Sequence, residues 1–296
     1  MSWLLHQAPP LFHQLGVLFN HFVELVVPWG YFGPRRLRHA AAGLTIAFQA
    51  ALIASGNLSF LNWLTIAVAL VCFDDDFWRR LLPRTIVVSL GPPSPALPPG
   101  RTTHGVRLVL FLVVALLSIN PVVNMLSPRQ RMNASFEPFH LVNTYGAFGS
   151  VGKTRHEVVL EGSASAVQGA STEWRAYEFR CKPGDLRRAP CWITPFHHRL
   201  DWQMWFAALS SYEGEPWIVS LVQRLLEGEP RVLGLLAHDP FPNAPPRFVR
   251  ARLYEYHFES FGTDAWWSRR LVGEYLKPLS LADPELQAFL RQYGWL

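Results

Sequence analysis

The strongest limit on how this chain can fold comes from its first 126 residues, where apolar runs long enough to cross a bilayer follow one another with few charges inside them. A helix needs about 20 apolar residues to cross a hydrocarbon core of about 30 Å, and its backbone polar groups must be paired within it. Residues 11–33 (LFHQLGVLFNHFVELVVPWGYFG) meet that length, although His13, Asn20, His21 and Glu24 interrupt them. Residues 37–55 and 58–73 are two further runs joined by the turn Gly56-Asn57, a pattern that predicts a helical hairpin, and another run covers 106–125. Three to four spans are therefore expected within residues 1–126.

Charge placement orients them. Arg35, Arg36 and Arg38 flank one end of the hairpin, and Arg79, Arg80, Arg84, Arg101 and Arg107 follow the other, just past Asp74, Asp75 and Asp76. A hairpin returns to the face it left, so both ends lie on one side, and the excess of arginine makes that side cytosolic. The loop at 83–104, proline-rich between 91 and 100, reads as a cytosolic linker with polyproline II character. The last span then delivers residues 127–296 to the lumen of the endoplasmic reticulum or outside the cell. Asn133-Ala-Ser135 is a glycosylation sequon on that side, whereas Asn57-Leu-Ser59 lies in a turn too tight for an acceptor. Met1 to Gln7 lacks the basic stretch and small-residue cleavage site of a removable signal peptide.

Residues 127–296 have ordinary globular patterning and predict a mixed α+β domain of antiparallel strands and aromatic amphipathic helices. Period-two alternation marks strands at 156–161, 174–182 and 248–258. Trp202, Trp205, Phe206 and Leu209 recur at helical spacing behind Asp201 as N-cap. Pro216 opens a helix with Ile218, Leu221, Val222 and Leu225 inward and Gly228 as its stop; Pro230 to His238 predicts a short helix, and Pro284 to Tyr293 a terminal one. The formal charge of +5 is dispersed and no basic stripe accompanies it, which argues against a nucleic-acid partner.

Two glycine-rich patterns fall short of chemistry. Gly146 to Thr154 resembles a phosphate loop with one residue too many, and Gly149-Ser150-Val151-Gly152 misses the serine nucleophile elbow by one position. Cys181, Cys191, His197, His198 and Asp201 are residue types that bind zinc. Their Cys-x9-Cys spacing is not that of a zinc knuckle or ribbon, and adjacent histidines on a strand point to opposite faces, so a Cys181–Cys191 disulfide with structural histidines is favoured over a metal site. Such a bridge pins the basic loop Lys182 to Arg188 to the aromatic helix. Lys182, Arg187 and Arg188 in that loop, and the consecutive Trp266 and Trp267, are candidate partner contacts, since one of two neighbouring strand residues points outward. A different reading centres a membrane-embedded enzyme or carrier for a small hydrophobic molecule on Asn20, His21 and Glu24, because ionisable groups inside a span face a bundle interior.

Several stretches resemble the lipase maturation factor family. They are Phe19–Pro28 (FNHFVELVVP), Gly56–Trp63 (GNLSFLNW), Val142–Gly149 (VNTYGAFG), Tyr177–Gly184 (YEFRCKPG) and Leu200–Phe206 (LDWQMWF), extended by His238–Phe241 (HDPF) and Trp266-Trp267. Gly152-Lys-Thr154 and the loop Gly184–Pro190 (GDLRRAP) are more like the family's second member than its first. The resemblance implies a multi-span protein of the endoplasmic reticulum membrane whose lumenal domain assists folding and assembly of secreted dimeric lipases. It implies immature lipases or other secretory proteins as partners and brings no catalytic residue and no cofactor. Family chains carry further spans before the counterpart of Leu11, and the second member continues past that of Leu296, so a shortened form is expected.

Overall fold

The computed structural model describes residues 1–296 apart from 57, 90–99, 147–151, 170 and 296. Asn57 of the second sequon, the proline-rich stretch up to Pro99 and the centre of the phosphate-loop-like segment thus lie outside the described residues. The chain divides into two compact units: Met1–Glu24, Ala47–Trp63 and Lys153–Leu296 in one, Leu25–Ile46 and Leu64–Gly152 in the other. That division does not fall at Leu126, because residues 127–152 group with helical segments.

The apolar part begins with α1 (Ser2–His6) and α2 (Pro10–His21). From Phe22 to Val26 the helix widens to a π turn, then tightens to a 3-10 segment over Val27–Phe32. Pro28 accounts for the change, since it has no N–H for the Glu24 carbonyl four residues back and its ring crowds that carbonyl. There follow α3 (Arg35–Ser55), α4 (Leu61–Leu70), α5 (Asp75–Leu81), α6 (Arg84–Ser89), α7 (Arg101–Leu117) and α8 (Ile119–Leu126). Among the described residues three stretches are long and apolar enough to span: Pro10–Phe32, Arg35–Ser55 and Arg101–Leu126. The expected second hairpin arm is shorter than its apolar run. It contains the ten-residue α4, which at 1.5 Å per residue reaches about 15 Å, about half of a hydrocarbon core.

The return of the hairpin is nevertheless built. The Arg35 guanidinium at the start of α3 donates to Asp74 at 2.8 Å and to Asp76 at 3.2 Å, and Arg38 Nε donates to the Cys72 carbonyl at 3.1 Å. Asp74 also caps α5 by accepting from the Phe77 N–H at 3.0 Å.

The sheet domain contains β1 (Arg155–Ser163), β2 (Arg175–Ala176), α9 (Arg199–Ala207), α10 (Trp217–Glu227), α11 (Pro230–Leu233), β3 (Phe248–Phe258), β4 (Trp267–Leu279) and α12 (Pro284–Gln292). The strands form an antiparallel sheet in the order β2-β1-β3-β4. Both faces are covered. On one, Val158, Leu160, Val249 and Ala251 pack with Met204, Ile218, Val222 and Leu225 from the helices. On the other, Val159, Tyr254, Tyr256 and Trp267 form a second cluster. The alternation of β1 and β3 puts successive side chains on these two faces. Helix α10 ends as its pattern requires, with Gly228 at φ 68°, a left-handed position that glycine takes without steric cost.

Four expectations are corrected. The strand expected over 174–182 has a ladder of only two residues, because the Glu178 carbonyl turns away to accept from the Ala237 and His238 N–H groups at 2.8 and 3.3 Å. Its period-two face survives, with Tyr177 and Phe179 buried. Asp201 is not the N-cap of α9; that position is His198. The inward face of α9 is Asp201, Met204 and Ala207 rather than the aromatic stripe, and Phe206 and Leu209 are exposed. Small and flexible side chains let the helix approach the sheet, while the rings of Trp202, Trp205 and Phe206 pack against one another tilted or edge-on at 5.2 to 5.4 Å. The helix expected from Pro230 to His238 closes after Leu233.

Candidate functional site

The disulfide joins Cys181 and Cys191 with Cα atoms 5.4 Å apart, and the polar groups around it converge on the loop it closes. From the first turn of α9, the buried Asp201 reaches back to accept from the Cys181 and Lys182 N–H groups at 2.8 and 3.3 Å. Across the sheet side, Tyr256 Oη donates to the Gly184 carbonyl at 2.9 Å, and the Leu186 carbonyl accepts from the N–H groups of Trp266 and Trp267 at 2.9 and 3.1 Å. Trp267 Nε1 donates to the Arg188 carbonyl at 3.0 Å.

The partner contacts read from sequence fare unequally in this geometry. Lys182 is corrected: its side chain is only 3% exposed, and its ammonium sits 3.2 Å from the wholly buried Glu157 of β1 while donating to the Pro183 carbonyl at 3.0 Å. Arg155 Nε approaches the same carboxylate at 2.8 Å. A buried ammonium needs such partners, so Lys182 is an internal strut. Arg188 turns inward too, donating to the carbonyls of Phe179 and Lys182. Arg187 is exposed. Trp267 is buried, its ring stacked on Phe258 at 4.3 Å. Trp266 is half-buried under Trp3, whose ring lies edge-on at 4.9 Å and whose Nε1 donates to the Glu259 carbonyl at 2.7 Å. The expectation of one outward tryptophan thus meets a surface that α1 already covers in part.

His197 rests against Trp202 at 4.3 Å, and burial pushes its pKa below the ordinary histidine value. Among the described residues no group of three His, Cys, Asp or Glu side chains is placed to hold a metal ion. In the π turn region, Asn20 Nδ2 donates to Glu24 Oε2 at 3.3 Å on an exposed helix surface, and His21 is exposed beside them. A cavity of about 130 Å³ lies in the sheet domain, lined by Tyr177, Leu225, Asp239, Phe241 and Pro246. The buried Tyr177 hydroxyl has no protein partner, and desolvation, with Asp239 nearby, raises its pKa. At the sequon, Asn133 is exposed in the left-handed region at φ 52°, with Oδ1 accepting from the Gly146 N–H at 3.0 Å.

Sequence reasoning passed over the segment that follows the disulfide. Trp192 Nε1 donates to the Ile53 carbonyl at 2.9 Å, in the last turn of α3, and Ser59 Oγ donates to the Pro195 carbonyl at 3.3 Å. Trp63 Nε1 donates to Thr194 Oγ1 at 3.3 Å. The available signal was two large aromatics, Trp192 and Phe196, close to Pro195 in a short loop beside a bridged cysteine.

Residues 141–277, from before β1 to within the last residues of β4, match the model of the lipase maturation factor C-terminal domain, and residues 1–80 match that of the lipase maturation factor transmembrane domain. This chain belongs to the lipase maturation factor family. It is 46% identical to lipase maturation factor 1 of Bos taurus and 44% identical to that of Homo sapiens, over all of this chain and 56% and 55% of those proteins. Against lipase maturation factor 2 of Homo sapiens the identity is 30%, over 99% of this chain and 55% of the relative. These values run against the second-member likeness read from Gly152-Lys-Thr154 and the Gly184–Pro190 loop, which are short segments outweighed by the rest of the chain. The chain spans about half the length of the curated relatives it matches. No solved structure matches it. A family transmembrane domain and three candidate spans make this lipase maturation factor relative a membrane protein with a mixed α+β domain.

Proposed function

We propose that this chain is a non-enzymatic factor of the endoplasmic reticulum membrane that assists folding and assembly of secreted lipases, holding immature chains with its lumenal residues 127–296. The observation that carries the reading is the identity of up to 46% to lipase maturation factors across the whole chain, spanning both family domains. The orientation draws support from the hairpin, whose arginine-flanked ends are closed on each other by Arg35 and Asp74. That end suits the cytosol by its charge. The lumenal side suits the Cys181–Cys191 bridge, which oxidising compartments sustain, and makes Asn133 the acceptor for glycosylation. Of the contacts read from sequence, Arg187 and the open edge of Trp266 remain available to a client. No cofactor enters the reading.

Capture tests it. A tagged chain isolated from microsomes of lipase-secreting cells is expected to bring down immature lipase, and Glu24→Gln is expected to leave that capture unchanged. Failure of the inserted, disulfide-bonded chain to retain any lipase would contradict the proposal.

A further inference from the structure

We infer that the loop Trp192–Phe196 is a membrane seat, by which the sheet domain rests its aromatic side chains in the headgroup and acyl boundary of the bilayer beside the end of α3. Helix α3 sets the level of the loop. As a span of 21 residues, it reaches the bilayer face where it ends at Ser55, and whatever is bonded to its last turn lies at that level. The last carbonyls of a helix have no partner within it, and near hydrocarbon an unpaired carbonyl is costly. Here the Leu52 carbonyl is taken by the Ser55 hydroxyl and the Gly56 N–H, and the Ile53 carbonyl by the indole N–H of Trp192. The sheet domain therefore supplies a cap for the spanning helix.

The geometry of that cap leaves apolar surface outward. Trp192 uses its polar edge on Ile53 while remaining 68% exposed, and Phe196 is 72% exposed. On the tip of the hairpin Phe60 and Trp63 are 60% and 46% exposed, and Ser59 and Trp63 tie the same loop through Pro195 and Thr194. Two tryptophans and two phenylalanines grouped where a spanning helix ends suit that boundary: the indole rings of Trp192 and Trp63 sit at headgroup depth with their N–H groups on polar partners, and the phenyl rings of Phe60 and Phe196 face the acyl side. The lipid interface is chosen as occupant because continuity with α3 fixes the depth of the loop. The Cys181–Cys191 bridge acquires a role in this arrangement: it holds the residue next to Trp192 to the body of the domain. The inference stands on α3 as a span and is independent of the client reading.

The test places a photoreactive benzophenone side chain at Phe196 in the full chain, reconstituted without other protein in phosphatidylcholine vesicles. Irradiation is expected to yield a covalent phospholipid adduct at that site. A second probe at Phe60 reports the hairpin tip, and mobility on non-reducing gels reports whether the Cys181–Cys191 bridge has formed. Lipid adducts at Phe60 with none at Phe196 in disulfide-bonded protein would overturn the inference, as would a Phe196 probe that reacts with added lipase and never with lipid.

Discussion

Lys182 shows how a single residue changes meaning between sequence and structure. In a run that reads Arg-Cys-Lys-Pro-Gly-Asp-Leu-Arg-Arg it looks like part of an exposed basic loop, yet its ammonium lies buried against Glu157 of β1. Nothing local announces this, since the partner belongs to another strand. Lys182→Met would leave Glu157 buried with Arg155 as its remaining cation, and breaking a buried pair costs about 3 to 5 kcal/mol. Thermal unfolding of the variant is expected to show a loss of that order; a loss below about 1 kcal/mol, the range of an exposed pair, would mean the pair is solvated. His197 gives a prediction in pH. Burial lowers its native pKa beneath the ordinary 6.5, so as pH falls the unfolded chain takes up the proton first. The stability it contributes is therefore complete above about pH 6.5 and is lost as pH falls from there through the lowered native pKa. Stability measured across that window is expected to fall less steeply in His197→Gln than in the parent, and identical slopes would contradict the burial of the ring.

At the scale of elements, the disulfide loop is the part on which the others converge. Chain-entropy reasoning gives about 2 to 3 kcal/mol for closing a loop with a sequence separation of 10. Cys191→Ser is expected to lower the unfolding free energy by that amount, and a melting curve unmoved by the substitution would show that Asp201, Tyr256 and Trp267 hold the loop without it. Legibility followed the range of the determining contacts. Strand β3 and helix α10 were readable to their ends, because alternation and the Pro216 and Gly228 signals are local. The Cys181–Cys191 bridge was readable from spacing. Strand β2 was over-read, since its continuation depends on where the Ala237 and His238 N–H groups lie. The buried face of α9 was misread because three aromatics, Trp202, Trp205 and Phe206, outweigh Met204 and Ala207 in a helical pattern, although small side chains are what let a helix approach a sheet. Strand β4 beyond Trp267 escaped notice because Gly273 and Pro278 interrupt its pattern, which the edge of a sheet tolerates. The loop from Trp192 to Phe196 was passed over for a similar reason, as its hydrogen-bond partners lie far away in sequence on the hairpin tip.

For the whole molecule, the spans and the bridged sheet domain give a membrane protein with a folded α+β domain, and the proposed function adds that this domain meets secretory clients. The hairpin closes on itself through Arg35 and Asp74, and the loop after the disulfide caps α3 through Trp192. The family match covers both parts, and the relatives it names are lipase maturation factors. The most direct measurement expresses this chain in cells that lack their own lipase maturation factor and assays the activity of secreted lipase per unit of lipase protein. The account predicts that activity is restored above that of untransfected cells. A chain that inserts, forms its Cys181–Cys191 bridge and leaves secreted lipase inactive would contradict it.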